Sequence, residues 1–376
     1  MQVATAPLSR EALLRVLIGV IGALVVLGTF SSVLRTLLIP RPTRSVFTRL
    51  LHKTVQVPFQ FVADQCHRFE TKDRVLAPVA AVSILFHLVG WLAGAWLGYS
   101  MLQTAVSGFH AMDALRETGV ALFTLGFASS RSVELTLLDL CAAATGPIII
   151  GLQIGYLPAL YSAYSRREAE VTTLQARAGS PAWGPELLAR YAQIGLTDSI
   201  TDLFRNWERW SAEVSESHTS YVVLSRFRSP RANDNWLISL LAVMDAAAMQ
   251  LALNPSHPQA DARLVLRTGF VCLRNIAAVW RLPFEPDPSP DTPIRLTYEE
   301  FAGAVAHVTA HGYAVERAPE QAWPHFSGWR VNYEDLAYRF AYLLDAVPAP
   351  WSGPRRTSKE DITPVTPVDR KPNVAC

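Results

Sequence analysis

Residues 118–128 read TGVALFTLGFA. The stretch has eleven residues and no charge. A helix needs ~20 apolar residues to cross ~30 Å of hydrocarbon, so this piece is too short to span a membrane. It is also too apolar for an ordinary surface loop. Its length and composition predict a buried or re-entrant segment. Irregular backbone at membrane depth is tolerated only where protein covers it or where it lines a water-filled path. The overlapping stretch 111–123 (AMDALRETGVALF) predicts a helix of about 20 Å at 1.5 Å per residue, enough to dip partway in. Residues 124–128 then predict a short strand-like return.

Two long apolar runs flank this piece. Residues 75–103 carry no charge, and only His87 ionises there. Residues 135–164 carry one charge, Asp139. A third run, 16–34 (VLIGVIGALVVLGTFSSVL), has 19 residues and no charge. All three are long enough to span, and all lie before residue 165. The first run has two readings, a membrane anchor and a signal peptide. Its apolar length exceeds a signal's usual core, no A-x-A site follows, and its basic residues lie mainly on its C-terminal side, so the anchor is preferred.

Lys and Arg counts set the orientation. Segment 41–74 carries seven, namely Arg41, Arg44, Arg49, Lys53, Arg68, Lys72 and Arg74, whereas 104–132 carries only Arg116 and Arg131. Arg166 and Arg167 follow the last run at once. The expected topology is multi-pass in the cell membrane, with the N-terminus outside and both 41–74 and everything after 165 in the cytoplasm.

A span, a short descending helix, T-x-G-[YF]-x and a second span resemble the pore module of the tetrameric potassium channel family. The resemblance is carried by Ala114 and Leu115, then by Phe123, Thr124, Leu125, Gly126, Phe127 and Ala128, within about residues 75–166. It implies that backbone carbonyls of a selectivity filter at Thr124, Leu125, Gly126, Phe127 and Ala128 replace the hydration shell of a permeant monovalent cation, K+ in that family. It also implies a homotetramer, because one loop cannot encircle a conduction axis. Three positions depart from the family pattern. Its second filter glycine is Ala128 here, its following acidic residue is Ser129, and its second pre-filter threonine is Phe123. These departures bear on ion selectivity. The last span would line the pore. Gly146 and Pro147 lie inside it and suit a gating hinge, since proline removes a backbone bond and glycine permits the bend. Gly151 and Gly155 form G-x-x-x-G, which reads equally as a helix-packing face.

The rest of the chain differs in kind. Residues 166–349 mix charges, tryptophans and apolar residues at helical spacing, as at Leu203, Phe204, Trp207 and Trp210. They predict an all-helical cytoplasmic domain. Within it, residues 236–252 (WLISLLAVMDAAAMQLA) are either a fourth span or a buried bundle helix. Asp245 near the middle would cost ~3 kcal/mol in lipid, which favours the bundle. Arg263, Arg267, Arg274 and Arg281 fall on one stripe of the next helix, a solvated face or a source of a partner for Asp245. Trp207, Trp210, Trp323, Trp329 and Trp351 read as packing anchors or subunit contacts. Residues 350–376, rich in Pro, Ser and Thr, predict a disordered tail.

Several chemistries are excluded. Of 376 residues, 50% are apolar and 18% charged, against ~25% charged in an ordinary soluble domain. That balance excludes a disordered chain and a coiled coil, and a net charge of +2 gives no argument for nucleic acid. The cysteines Cys66, Cys141, Cys272 and Cys376 form neither a disulfide framework nor a metal pattern. His307 and His311 are spaced for one helix face, but the intervening Glu of HExxH and a third ligand are missing. Asp287 and Asp291 sit in a proline-rich acidic loop. No arginine-repeat voltage sensor, glycine-rich nucleotide loop, P-loop or nucleophile elbow occurs. No enzyme activity and no bound cofactor are expected.

The expected organisation is an N-terminal transmembrane anchor (1–40), a basic cytoplasmic linker (41–74), a pore module (75–165), the helical cytoplasmic domain (166–349) and the tail (350–376). The expected fold class is an all-α membrane protein with three transmembrane helices and a re-entrant pore helix. The expected function is an oligomeric cation channel subunit embedded in the lipid bilayer, with an unknown ligand or partner for its cytoplasmic domain. The alternative is a non-conducting membrane anchor for a helical sensor or scaffold.

Overall fold

The long apolar runs fold as helices, which pair every interior backbone N–H and C=O within the segment and leave the side chains to face apolar surroundings. In the computed structural model the described residues are 10–39, 46–108, 110–125, 132–356 and 361–365, and they contain helices and no strand. Four helices are long and apolar enough to cross a membrane by length and composition. The chain divides into two units, residues 1–58 with 79–161, and residues 59–78 with 162–376.

The first unit contains α1 (Arg10–Leu37), the start of α2 (Val46–Asp64), α4 (Val79–Ser107), α5 (Ala111–Leu122) and the first part of α6 (Val133–Ala178). α1 packs on α4 through small residues. A Cβ built at Gly22 would lie 2.8 Å from the Gly98 carbonyl oxygen, so the backbones approach as closely as two glycines allow. Trp91 donates to Ser32 Oγ across the same contact at 3.1 Å. Away from it, α1 leaves Leu13, Leu17, Val20, Leu24 and Leu27 exposed. Apolar exposure of this extent on one helix suits lipid or another chain and does not suit water.

The second unit contains the end of α2, α3 (Phe69–Leu76), the end of α6, and α7 (Gly184–Gln193), α8 (Ile200–Ser220), α9 (Trp236–Leu253), α10 (Ala260–Trp280), α11 (Tyr298–Ala310), α12 (Pro319–Arg330) and α13 (Glu334–Leu343). α9 is its axis. Asn235 caps α9 by accepting from the Leu237 and Ile238 amides at 3.0 and 3.3 Å, and every α9 residue is buried. The ambiguous run 236–252 thus lies inside this unit, covered by protein on all faces. Trp207 and Trp351 are buried in the same core, and Trp323 and Trp329 pack against it.

Two expected segments differ. The basic linker 41–74 contains two helices, and its later part, with residues up to 78, belongs to the second unit. Phe69 supplies an apolar contact to that core, while Lys72 and Asp73 are buried. The tail is ordered over its described residues. Trp351 and Arg355 are buried, Ile362 donates its amide to the Pro348 carbonyl at 2.6 Å, and Val365 donates to Ser180 at 3.2 Å. A tryptophan and an isoleucine among the prolines supply apolar area that a purely polar tail lacks.

Candidate pore region and its buried polar contacts

α5 matches the predicted short helix, and its end is shaped by its own backbone. The Leu125 amide donates to the Val120 carbonyl at 2.9 Å and the Thr124 amide to Ala121 at 3.0 Å. This pair is a Schellman closure, with Thr124 in the left-handed position usually held by glycine, at φ +56°. Thr124 and Leu125 therefore finish a helix and do not begin the extended return predicted from 124. Gly126, Phe127 and Ala128, with Ser129, lie outside the described residues.

A chain of polar side chains holds α5 against its neighbours. Thr118 donates to Gln103 Oε1 at 2.9 Å, and Gln103 Nε2 donates to Asp139 Oδ1 at 2.5 Å, so one amide links α5, α4 and α6. Thr118, Gln103 and Asp139 are all buried. Trp96 Nε1 donates to the Leu115 carbonyl at 2.7 Å. Deeper along α6, the Thr145 hydroxyl donates to Cys141 O at 2.7 Å, which leaves Tyr99 as donor in its 3.1 Å contact with Thr145 Oγ1. Polar groups in an apolar unit are stable only when paired in this way. They also register one helix against the next, because a slip would leave each of them unpaired. Gln153 on α6 is buried with its side-chain oxygen unpartnered. Of this set, the sequence pointed only to Asp139. The remaining signal was the run of hydroxyl and amide residues, Tyr99, Ser100 and Gln103, closing an otherwise apolar stretch.

The glycines of α6 are placed differently from their spacing. A Cβ at Gly146 would fall well within 3.0 Å of the Leu122 carbonyl oxygen, so Gly146 lets α6 pass the end of α5. Among the described residues nothing lies within 4 Å of such a Cβ at Gly151 or Gly155, so their G-x-x-x-G face meets no described neighbour. Pro147 lies inside α6, which continues as a helix through it and through Pro158.

The second unit has charged groups in its core. Arg330 is fully buried, and its guanidinium donates to Asp245 Oδ1 at 2.5 Å, to Glu334 Oε1 at 3.0 Å and to the Trp351 carbonyl at 2.6 Å. Tyr333 adds a 2.8 Å bond to Asp245. The partner of Asp245 thus comes from α12 and not from the arginine stripe of α10. On that stripe Arg263, Arg267 and Arg281 are exposed, and Arg274 lies 4.9 Å from the Phe270 ring centroid. Arg167 is likewise buried, against Glu168, the Leu224 and Phe227 carbonyls and His218 Nε2. Burial, and then the Arg167 charge, push the His218 pKa well below its usual value.

The predicted histidine pair is engaged elsewhere. His307 Nε2 meets Glu186 at 2.9 Å, and His311 Nδ1 donates to the His307 carbonyl at 2.8 Å. Among the described residues no three His, Cys, Asp or Glu side chains are grouped to hold a metal. Asp287 and Asp291 are exposed. Compared with family models, curated proteins and solved structures, the chain matches none.

Proposed function

We propose that this chain is a subunit of an oligomeric, potassium-channel-like cation channel. One observation supports this reading above the others. α5, twelve residues long, is tied by buried polar contacts to the two long apolar helices on either side of it in sequence. At 1.5 Å per residue α5 is about 18 Å long, too short to cross ~30 Å of hydrocarbon. A helix of that length between two spans delivers the segment after it to membrane depth, where only a protein-lined or water-lined site is tolerated. Residues 124–128 would then pass dehydrated monovalent cations, K+ by resemblance, along carbonyls from four copies. α6 lines the path and bends near Gly146 and Pro147. The second unit is cytoplasmic, the N-terminus is outside, and a ligand or partner that binds one state of this unit better biases the gate.

Cation flux into liposomes holding the purified full chain tests this reading. Flux from the wild type that is lost, or changed in K+ over Na+ preference, in Gly126→Pro is the expected result. A wild type without flux, or a variant with unaltered flux and selectivity, refutes it. The second reading, a non-conducting anchor for the helical unit, draws on the Thr124 and Leu125 amides being consumed in a helix cap, and on Ala128 standing where the family has glycine. A monomer in mild detergent together with absent flux would favour that anchor.

A further inference from the structure

The chain passes between the two units three times, at residues 58/59, 78/79 and 161/162. Just inside the second unit, each crossing is bonded to one small patch. After the first crossing, Gln60 donates to Asp345 Oδ2 at 2.7 Å. Before the second, adjacent residues of α3 make opposite ion pairs. Lys72 meets Asp345 Oδ1 at 2.8 Å, and Asp73 meets Arg228 Nη1 at 2.5 Å. After the third, the Tyr164 hydroxyl donates to the Arg228 carbonyl at 3.0 Å. Arg228 closes the set by donating its other terminal nitrogen to the Leu344 and Asp345 carbonyls, at 2.8 and 3.1 Å.

We propose that Arg228 and Asp345 form a latch that binds all three crossings, so that the segment entering α4 and the part of α6 just past residue 161 shift together. This goes beyond the channel reading and holds whether or not the chain conducts.

The chemistry of the patch favours an on-or-off device over a graded one. Side chains of Lys72 and Asp345 are 4% and 3% exposed, and those of Arg228 and Asp73 are 10% and 13% exposed. Charges this deep need their partners, because removing one strands the other out of water. Asp345 sits past the end of α13 with φ +46°, in a position that favours glycine. The Ala346 amide bonds to the Ala341 carbonyl at 3.0 Å and closes that helix end. Glycine would close it with less strain but would offer no carboxylate to Lys72 and Gln60. Arg228 meanwhile covers the Leu344 carbonyl at the helix C-terminus and the Asp345 carbonyl just beyond it. Releasing either Asp73 or Asp345 therefore exposes the end of α13 and frees α3 together.

Hydrogen exchange on the full chain in detergent micelles tests the latch. Asp73→Asn should speed exchange about tenfold or more in residues 69–77, and also in residues 162–168 on α6, with α9 amides unchanged. Acceleration confined to 69–77, or no acceleration, overturns the proposal. If Asp73→Asn also deprotects α9, Tyr164→Phe reads the coupling from the other side, since it deletes one hydroxyl and no charge. It should then speed exchange in 69–77 at least about threefold, and unchanged exchange there overturns the proposal.

Discussion

Replacing Gly146 by alanine separates two roles for that residue. As a hinge, glycine supplies freedom, and Gly146→Ala would stiffen α6 and alter gating with little loss of stability. As a close approach, glycine supplies space. The added methyl would lie well inside 3.0 Å of the Leu122 carbonyl oxygen, where ordinary carbon–oxygen contact needs more than 3 Å. The methyl has no rotamer and its neighbour is a backbone carbonyl, so α6 or the end of α5 must move. Forced repacking of this kind costs about 1–3 kcal/mol. Gly151→Ala and Gly155→Ala provide the internal comparison, because a methyl at either meets none of the described residues within 4 Å. Those two changes should stabilise the helix by about 0.5–1 kcal/mol through reduced chain entropy. The assay is thermal melting of the full chain in one detergent, with liposome flux measured in parallel. Gly146→Ala should melt below wild type, with the other two at or above it. A Gly146→Ala protein that melts at or above wild type refutes the close-approach argument. Aggregate size provides a further readout. If Gly151→Ala or Gly155→Ala dissociates an oligomer, the open glycine face is where another copy packs.

The second unit supports two further predictions. Asp245→Leu leaves buried Arg330 with Glu334 as its remaining carboxylate and takes the acceptor from the Tyr333 hydroxyl, and should cost up to about 3–5 kcal/mol in urea unfolding, whereas Asp245→Leu combined with Arg330→Met should recover part of that loss, with Glu334 still held by the Arg295 and Leu296 amides. A double variant no more stable than the single one would contradict the pairing. His218 titrates well below its ordinary pKa of 6.5 in the folded chain, so below pH 6.5 the unfolded chain binds more protons than the folded one. The stability it contributes is complete above pH 6.5 and falls as pH drops, by up to about 1.4 kcal/mol per pH unit. His218→Gln should flatten that fall between pH 6.5 and 5, and equal slopes for variant and wild type would remove His218 as the source.

Composition made the apolar helices legible, because a long uncharged run has few alternatives to a helix. The short helix α5 was legible for the same reason in reverse, since its length excluded a span. Residues 236–252 could not be decided on composition alone. A helix covered by lipid and one covered by other helices show the same apolar circumference, and only Asp245 hinted at a protein partner. Identifying that partner needed the fold, since Arg330 lies 85 residues away, whereas the arginines of the adjacent helix offered a tempting local choice. The docking of the later linker and of the described part of the tail escaped the sequence for one shared reason. Local charge or proline content describes what a segment shows to water, but two or three side chains decide whether it docks. Lys72 and Asp73 dock the one, and Trp351 and Ile362 the other.

Thr124 and Asp345 both close a helix in the left-handed conformation, and both would fit better as glycine. A non-glycine residue there costs roughly 1–2 kcal/mol, so its side chain must supply something in return. Asp345 offsets that cost on the spot, with Lys72 and Gln60 bonded to its carboxylate. No such return is evident for Thr124 in its own helix cap, where the closing bonds come from backbone amides. Thr124→Gly should therefore keep both closing bonds and melt at or above wild type, and melting below it refutes this accounting.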